Sequence, residues 1–277
     1  MRVDYHIHSN SPDAGQDMKE MCRAAIAGGI DEIAITDHYE FYSGAIVTRY
    51  FHRSYLDRYF EDLAECRELF AGKLTIRAGA ELGQGYQDIC RQQEIIAVYP
   101  FDYLIGSLHK LNNVDLSNLY YGEGNDRRIA EAYYRQLLEM TRSIDFDCLG
   151  HLDLVRRYGK RAGCEIETRP YMGMITEVLK QIIAQGKGIE INTSSLREGL
   201  DETMPGQDIL TAYRNLGGKI VTVGSDAHTP AEVGRDLDAA DKRLKAAGFA
   251  SCAVYKQRKY RLAASETQNP RIGYDRI

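Results

Sequence analysis

No Cys-x-x-Cys pair occurs in this chain. Its six cysteines (Cys22, Cys66, Cys90, Cys148, Cys164 and Cys252) are dispersed, which reads as reduced thiols in a cytoplasmic protein. A sustained basic stripe is missing too, and 40 acidic against 35 basic residues leave a slightly negative balance, so no nucleic-acid partner is expected. No apolar run reaches membrane-spanning length, and the chain passes at once into a strand bearing Asp4 and His6 where a signal peptide would stand. Neither a membrane partner nor a targeting segment is therefore expected, and the oligomeric state is left open. No linker or low-complexity segment divides the 277 residues, a length within the range of a single α/β barrel. One domain over 1–277 is expected.

What the chain does contain is a short apolar run followed by an amphipathic helix, about seven times over. Predicted strands begin at Val3–Tyr5 and recur at 32–36, 74–80, 103–107, 147–150, 188–191 and 219–223. Between them, helical spacing of apolar residues predicts helices from Met18 to the Gly28-Gly29 stop, then over 55–70, 87–98, 127–142, 171–184, 207–216 and 236–247. Asp17, with Glu20 three residues on, supplies the first helix with a cap. Three stretches show no period: 39–53, rich in tyrosine and phenylalanine and readable as a lid or as a plain surface connection; 110–124; and a basic loop with Arg156, Arg157, Lys160 and Arg161. A last short strand at 252–255 leads into a basic tail expected to be a solvated edge. Strands alternating with helices imply a parallel sheet, and this many units imply closure into a barrel.

The polar residues fall where chemistry would need them. His6 and His8, Asp37 and His38, Glu81, His109, His151 and Asp153, Glu190 and Asn192, and Asp226 and His228 each stand at or just past the C-terminal end of a different predicted strand. In a parallel barrel those ends open on one face. Of the seven histidines only His52 lies outside the pattern. Residues two apart on an extended chain point the same way, so His6 and His8 can converge on one point. So many buried carboxylates and imidazoles would carry a desolvation cost of several kcal/mol each without partners, and divalent cations resolve it. Imidazole with carboxylate suits zinc, iron or manganese. The donors outnumber what one ion needs, so at least two are expected, with Glu81 the natural bridge. Metal ions without thiolate ligands or a redox motif point to hydrolysis, and the in-line displacement of a phosphate ester fits best. Arg197, with Arg161 or Lys160, could hold phosphate oxygens.

The motifs Asp4-Tyr5-His6-Ile7-His8, Thr36-Asp37-His38, Gly79-Ala80-Glu81, Gly106-Ser107-Leu108-His109, Gly150-His151-Leu152-Asp153, Glu190-Ile191-Asn192-Thr193-Ser194 and Gly224-Ser225-Asp226-Ala227-His228 resemble, in order, those of the PHP-domain (polymerase and histidinol phosphatase) phosphoesterases. The run from Asn192 to Arg197 and the chain length resemble the stand-alone histidinol-phosphate phosphatases. The resemblance implies a distorted seven-unit (β/α) barrel holding two to three divalent ions. His6, His8, Glu81 and Asp226 would bind the first ion; Glu81, His109 and His151 the second; Asp13, His38 and His228 the third. Glu81, Asp226, His228 and Arg197 would carry the catalysis. Asp37 and Asp153, with Asn192, would stand behind the ligands and orient imidazoles.

The reaction so implied is hydrolysis of a small phosphorylated substrate, L-histidinol phosphate to L-histidinol and phosphate, late in histidine biosynthesis. Another PHP phosphoesterase activity, on a small phosphate, a nucleotide or a phosphotyrosine peptide, would keep every ligand, and a substrate panel separates the two. An exonuclease-like module would show salt-sensitive single-strand binding. A non-catalytic metal-binding domain would hold ions without turnover.

Overall fold

Asp17 caps the first helix by accepting a hydrogen bond from the backbone N–H of Glu20 at 2.9 Å. The helix then buries Met18, Met21, Cys22 and Ala25 along one side and ends at Gly28. That unit repeats around the molecule. The computed structural model describes residues 1–10, 13–41 and 53–263. Most of the aperiodic stretch over 39–53, including His52, lies outside the described residues.

In chain order the elements are β1 (Val3–Ile7), α1 (Met18–Ala27), β2 (Glu32–Ile35), β3 (His38–Glu40), α2 (Arg53–Leu69), β4 (Thr75–Gly83), α3 (Ile89–Val98) and β5 (Tyr103–Ser107). A small ribbon of β6 (Lys110–Leu111) and β7 (Val114–Asp115) precedes α4 (Asn125–Ser143), β8 (Cys148–Leu149), α5 (Val155–Arg161), α6 (Met172–Ala184) and β9 (Gly188–Asn192). Then come α7 (Ser194–Arg197), α8 (Gln207–Asn215), β10 (Val221–Gly224), α9 (Leu237–Ala246), β11 (Ala253–Lys256) and β12 (Lys259–Leu262).

The strands β1, β2, β4, β5, β8, β9 and β10 lie side by side in that order, all parallel, with the short β3 added to β4. β10 returns to β1 through a parallel bridge of Ile7 with Ala227, where Asp226 N donates to His6 O at 2.8 Å and His8 N to Ala227 O at 2.9 Å. The result is the expected distorted seven-stranded barrel, nearly closed. Tyr103 on β5 meets Thr222 on β10 at 2.9 Å although the two strands are not neighbours, so these hydroxyls meet across the barrel interior.

β1 is not a regular strand. Its register against β2 shifts between Asp4 and Ile7, and Tyr5 packs in one core cluster with Tyr103, Cys148 and Tyr255 while Ile7, two residues on, packs in another with the helices. The irregularity breaks the two-residue alternation just where His6 has to turn toward the site.

Two stretches differ from their sequence reading. The basic run after Leu154 is a helix, α5, rather than a loop, with Arg156 paired to Asp153 and Glu202. Residues 38–40 form β3, and Tyr39 is buried with Phe41 and Leu56, an anchor in the core. The tail folds back as a hairpin whose second strand is exposed along its whole length, the solvated edge expected. Gln257 and Arg258 both take positive φ (50° and 62°) at its turn, the pair of left-handed residues that a tight hairpin needs. Arg258 Nε donates to Asp147 Oδ2 at 2.7 Å and Gln257 N to Asp102 Oδ1 at 2.9 Å. Asp102 and Asp147 precede β5 and β8, so the hairpin closes the N-terminal end of the barrel and leaves the C-terminal end for the polar cluster. Among the described residues no helix is long and apolar enough to cross a membrane.

Candidate metal centre

Glu81 stands at the middle of the cluster, 1% exposed on β4. Its two oxygens face different partners. Oε2 lies 3.3 Å from His6 Nε2 and 3.6 Å from His8 Nε2, both from the end of β1. Oε1 lies 3.0 Å from His109 Nε2, past β5, and 2.8 Å from His151 Nε2, past β8. Ser107 Oγ also donates to Oε1 at 2.6 Å. On the far side Asp226 Oδ1 lies 3.6 Å from His6 Nε2 and 3.4 Å from His8 Nε2. Asp13 Oδ2 completes the group, 3.5 Å from His38 Nε2 and 3.7 Å from His228 Nε2.

Those spacings suit cations. Two donors each about 2.1 Å from one ion at tetrahedral angles stand about 3.4 Å apart, and His6, His8, Glu81 and Asp226 match that separation. Buried His6 Nε2, both ring nitrogens of His8 and His151 Nδ1 make no hydrogen bond, a state that costs about 1–3 kcal/mol per group unless something else accepts the lone pair or proton. The donor sets that could share an ion overlap: His6, His8 and Glu81; His6, His151 and Asp226; His38, Glu81 and His109; and His8, Asp13, His38 and His228. The imidazole and carboxylate donors, with no thiolate among them, fit zinc, iron or manganese.

The electrostatics tell the same story. Burial alone would raise Glu81 and Asp226, yet His109, His38 and His6 hold Glu81, and His6, His8, His228 and Arg157 hold Asp226, well below the usual carboxylate range. Burial would lower His6 and His109, but Glu190 and Glu81 raise the one, and Glu81 and Glu40 the other, well above the ordinary histidine value. His8 goes the opposite way, to about 3, because burial and its neighbours His228 and His38 disfavour a further positive charge. Without ions, protons hold the carboxylates together, and any cation that binds has to displace them.

Hydrogen bonds to and from the backbone fix the turn that carries Asp226. Asp226 adopts a left-handed conformation (φ 56°), a strain for a residue with a side chain. Its turn is secured by Ser225, whose N–H and hydroxyl donate to Asp4, and by Arg197, which donates to the carbonyls of Ser225 at 3.0 Å and Asp226 at 3.1 Å. Asp226 Oδ2 accepts from Ser194 Oγ at 3.0 Å and from Arg157 at 3.3 Å.

All nine residues expected as ligands, His6, His8, Asp13, His38, Glu81, His109, His151, Asp226 and His228, come together. The supporting residues are another matter. Asp37 does not orient an imidazole; it accepts from the N–H and hydroxyl of Ser9 and so fixes the turn after His8. Nor does Asp153, which accepts from Arg156 at 3.0 Å and Gly206 N at 3.1 Å. The carboxylates that do hold ligand imidazoles are Glu190, 2.6 Å from His6 Nδ1, and Glu40, 2.6 Å from His109 Nδ1. Asn192 supports the first of these, donating to Glu190 at 3.2 Å. Glu190 was legible as a strand-end residue, whereas Glu40 sits in the stretch read as a loop.

The expected phosphate-binding cations are dispersed. Arg161 makes a two-pronged pair with Glu198 at the surface. Lys160 lines a separate polar cleft of about 280 Å³ with Arg156, Glu202 and Arg243. Arg197 spends its guanidinium on the two carbonyls and on Glu232 at 3.4 Å. Among the described residues Arg157 is the cation whose side chain pairs with a carboxylate of the cluster, Asp226, and its buried Nε makes no hydrogen bond.

Residues 4–194 match the PHP domain family. The histidinol-phosphatase of Lactococcus lactis subsp. lactis is 27% identical over 262 residues, 93% of this chain and 96% of that protein. A Clostridium acetobutylicum protein bearing the name "Probable histidinol-phosphatase" is 31% identical over 242 residues, 84% of this chain and 89% of its own length. The crystal structure of the histidinol phosphate phosphatase from Lactococcus lactis, complexed with zinc, L-histidinol and phosphate, has the same fold, with a TM-score of 0.77 at 23% identity over 94% of this chain and 98% of that one.

Proposed function

Because this chain belongs to the PHP domain family, we propose that it is a metal-dependent phosphomonoester hydrolase that converts L-histidinol phosphate to L-histidinol and phosphate. The observation that carries the reading is Glu81, whose two oxygens face two sets of imidazoles within one buried cluster. Relatives that bear the name histidinol-phosphatase and align along most of their length support the choice of substrate.

His6, His8, Glu81 and Asp226 would hold a first divalent ion, Glu81, His109 and His151 a second, and Asp13, His38 and His228 a third, with zinc, iron or manganese the fitting metals. Such ions, when bound, lower the pKa of a coordinated water, polarise the phosphoryl group and offset charge on its oxygens. The chain's own residues do the rest. Glu190 fixes the His6 ring, Ser107 fixes Glu81, and Arg197 holds the carbonyls of the Asp226 turn. Arg157 lies against Asp226, where its positive charge would offset that of a phosphate held at the ions. In the cell the reaction would be a late step of histidine biosynthesis in the cytoplasm.

Phosphate release from L-histidinol phosphate, beside a panel of other phosphomonoesters and with bound metals quantified by elemental analysis, tests the reading. Strong preference for histidinol phosphate with two or three ions per chain is expected. Metal without that preference would keep the phosphoesterase and discard the substrate.

A further inference from the structure

Resting on the metal reading above, we propose that Glu40 is a positioning residue that fixes the imidazole of His109 and thereby sets the affinity of the second ion. β3 pairs with β4 in the register His38 with Glu81, Tyr39 with Leu82 and Glu40 with Gly83. Alternate residues of a strand share a face, so β3 presents His38 and Glu40 to the same side on which β4 carries Glu81. The Glu40 carboxylate then reaches past Glu81 to the back of His109.

There the ring is held at both ends. Nδ1 lies 2.6 Å from Glu40 Oε1 and Nε2 lies 3.0 Å from Glu81 Oε1. With Glu40 accepting the Nδ1 proton, the Nε2 lone pair is left for an ion at Glu81, and the ring gains basicity. Gln84 closes the arrangement. Its amide NH2 donates to the other oxygen of Glu40, while its carbonyl oxygen accepts from His109 N at 2.6 Å. Gln84 is fully buried and left-handed (φ 54°). This is a strained position that points a side chain at two partners in the site.

Gly83 shows that room is kept for this carboxylate. A methyl carbon at Gly83 would overlap the carboxyl group of Glu40, although the glycine has no positive φ and so no backbone reason to lack a side chain. The same design recurs on the first ion's side, where Glu190 stands 2.6 Å from His6 Nδ1 and Glu81 3.3 Å from its Nε2. Glu40 differs in also lying 3.6 Å from His38 Nδ1, which places it behind ligands of both the second and the third ion.

The test is zinc binding to the metal-free protein, measured by competition with a chromophoric chelator, for wild type, Glu40→Gln, Gly83→Ala, His109→Ala and the double variant Glu40→Gln/His109→Ala. Glu40→Gln should weaken one site by about 10-fold to 100-fold, the range for groups that orient a ligating histidine. Gly83→Ala should do the same by displacing the carboxylate. In the His109→Ala background Glu40→Gln should change that site no further, since both act through one ring. Wild-type affinity in Glu40→Gln, or an additive loss in the double variant, would overturn the proposal. If Glu40→Gln does not fold, Gly83→Ala decides, because only the end of a flexible side chain has to move. A wild-type protein that binds no zinc would instead defeat the metal reading itself.

Discussion

His6 Nδ1 lies 2.6 Å from Glu190 Oε1, a buried contact between residues 184 apart in the sequence. It does more than pair two groups. Glu190 Oε2 also accepts from the backbone N–H of His151 at 2.8 Å and from Asn192 at 3.2 Å, so one carboxylate ties the first strand's histidine to the fifth unit's. A charged acceptor behind His6 keeps its Nε2 directed at Glu81 and Asp226.

Replacing Glu190 by Gln keeps an acceptor of the same shape and removes the charge. Phosphatase activity and metal affinity should each fall by about 10-fold to 100-fold with the fold retained. Elemental analysis after dialysis against limiting zinc, run beside the rate assay, checks it. Full metal content at the wild-type rate would show that Glu190 merely fills space.

Glu81→Gln and His151→Ala strike the cluster directly. Either should abolish turnover while the far-UV circular dichroism spectrum stays native, because both side chains sit at the open end of the barrel and the core beneath them is apolar. A near-normal rate from either variant would remove Glu81 and His151 from the second ion site.

Chelation should make stability pH-dependent in a set direction. In the metal-free protein, burial alone would lower His228, but Asp13 and Asp226 raise it to about 9. His6 and His109 are likewise raised well above the ordinary histidine value by their carboxylates. A histidine raised on folding stabilises fully below its unfolded value of about 6.5 and loses that contribution as pH climbs through the folded value. His8, depressed to about 3 by burial and positive neighbours, acts in reverse, stabilising above about pH 6.5 and ceasing to do so as pH falls toward 3. Melting temperatures of chelated protein should therefore peak between pH 6 and 7 and decline toward pH 9, roughly the window bounded by these values. Metal-loaded protein should hold its stability across the alkaline half of that range, since bound imidazoles have already given up their protons. Equal slopes with and without chelator would contradict this.

The seven parallel units and the residues at their ends were legible because both are local signals. An apolar run, a helical period and a polar residue at the strand end lie within a few positions of one another. Glu40 was hidden for the opposite reason. β3 spans only His38–Glu40, too short to show a period, and exists through its pairing with β4, which the sequence places more than thirty residues away. α5 was missed because seven residues with four cations and Gly159 show no apolar stripe. It is stabilised by Arg156 reaching Glu202 and by Arg157 reaching Asp226. The roles of Asp37 and Asp153 went wrong similarly: a carboxylate beside a histidine in sequence is easily taken for its partner, whereas Asp37 turns to Ser9 and Asp153 to Arg156 and Gly206. Hydrogen-bond partners are set by the closed barrel, after the strands have found their order.

The opposite end of the barrel separates stability from catalysis. Arg258 donates to Asp147 at 2.7 Å and to Asp145 at 3.1 Å, and burial pushes Asp147 up to about 6 even with that guanidinium beside it. Arg258→Ala leaves the left-handed turn position occupied by a residue with a Cβ, as before, so the change isolates the lost pairing. Asp147, 8% exposed, would then be a buried charge without its partner, a loss of about 3 kcal/mol in unfolding free energy at neutral pH. The deficit should shrink as pH falls toward about 6 and be gone near pH 5, because a protonated Asp147 no longer needs the cation. Urea unfolding at pH 7.5 and pH 5 measures both. The phosphatase rate of the folded variant should match wild type, since every expected ligand lies at the other mouth of the barrel. A variant as stable as wild type at pH 7.5 would mean that Asp147 finds water when Arg258 leaves, and that the hairpin does not close this end of the fold.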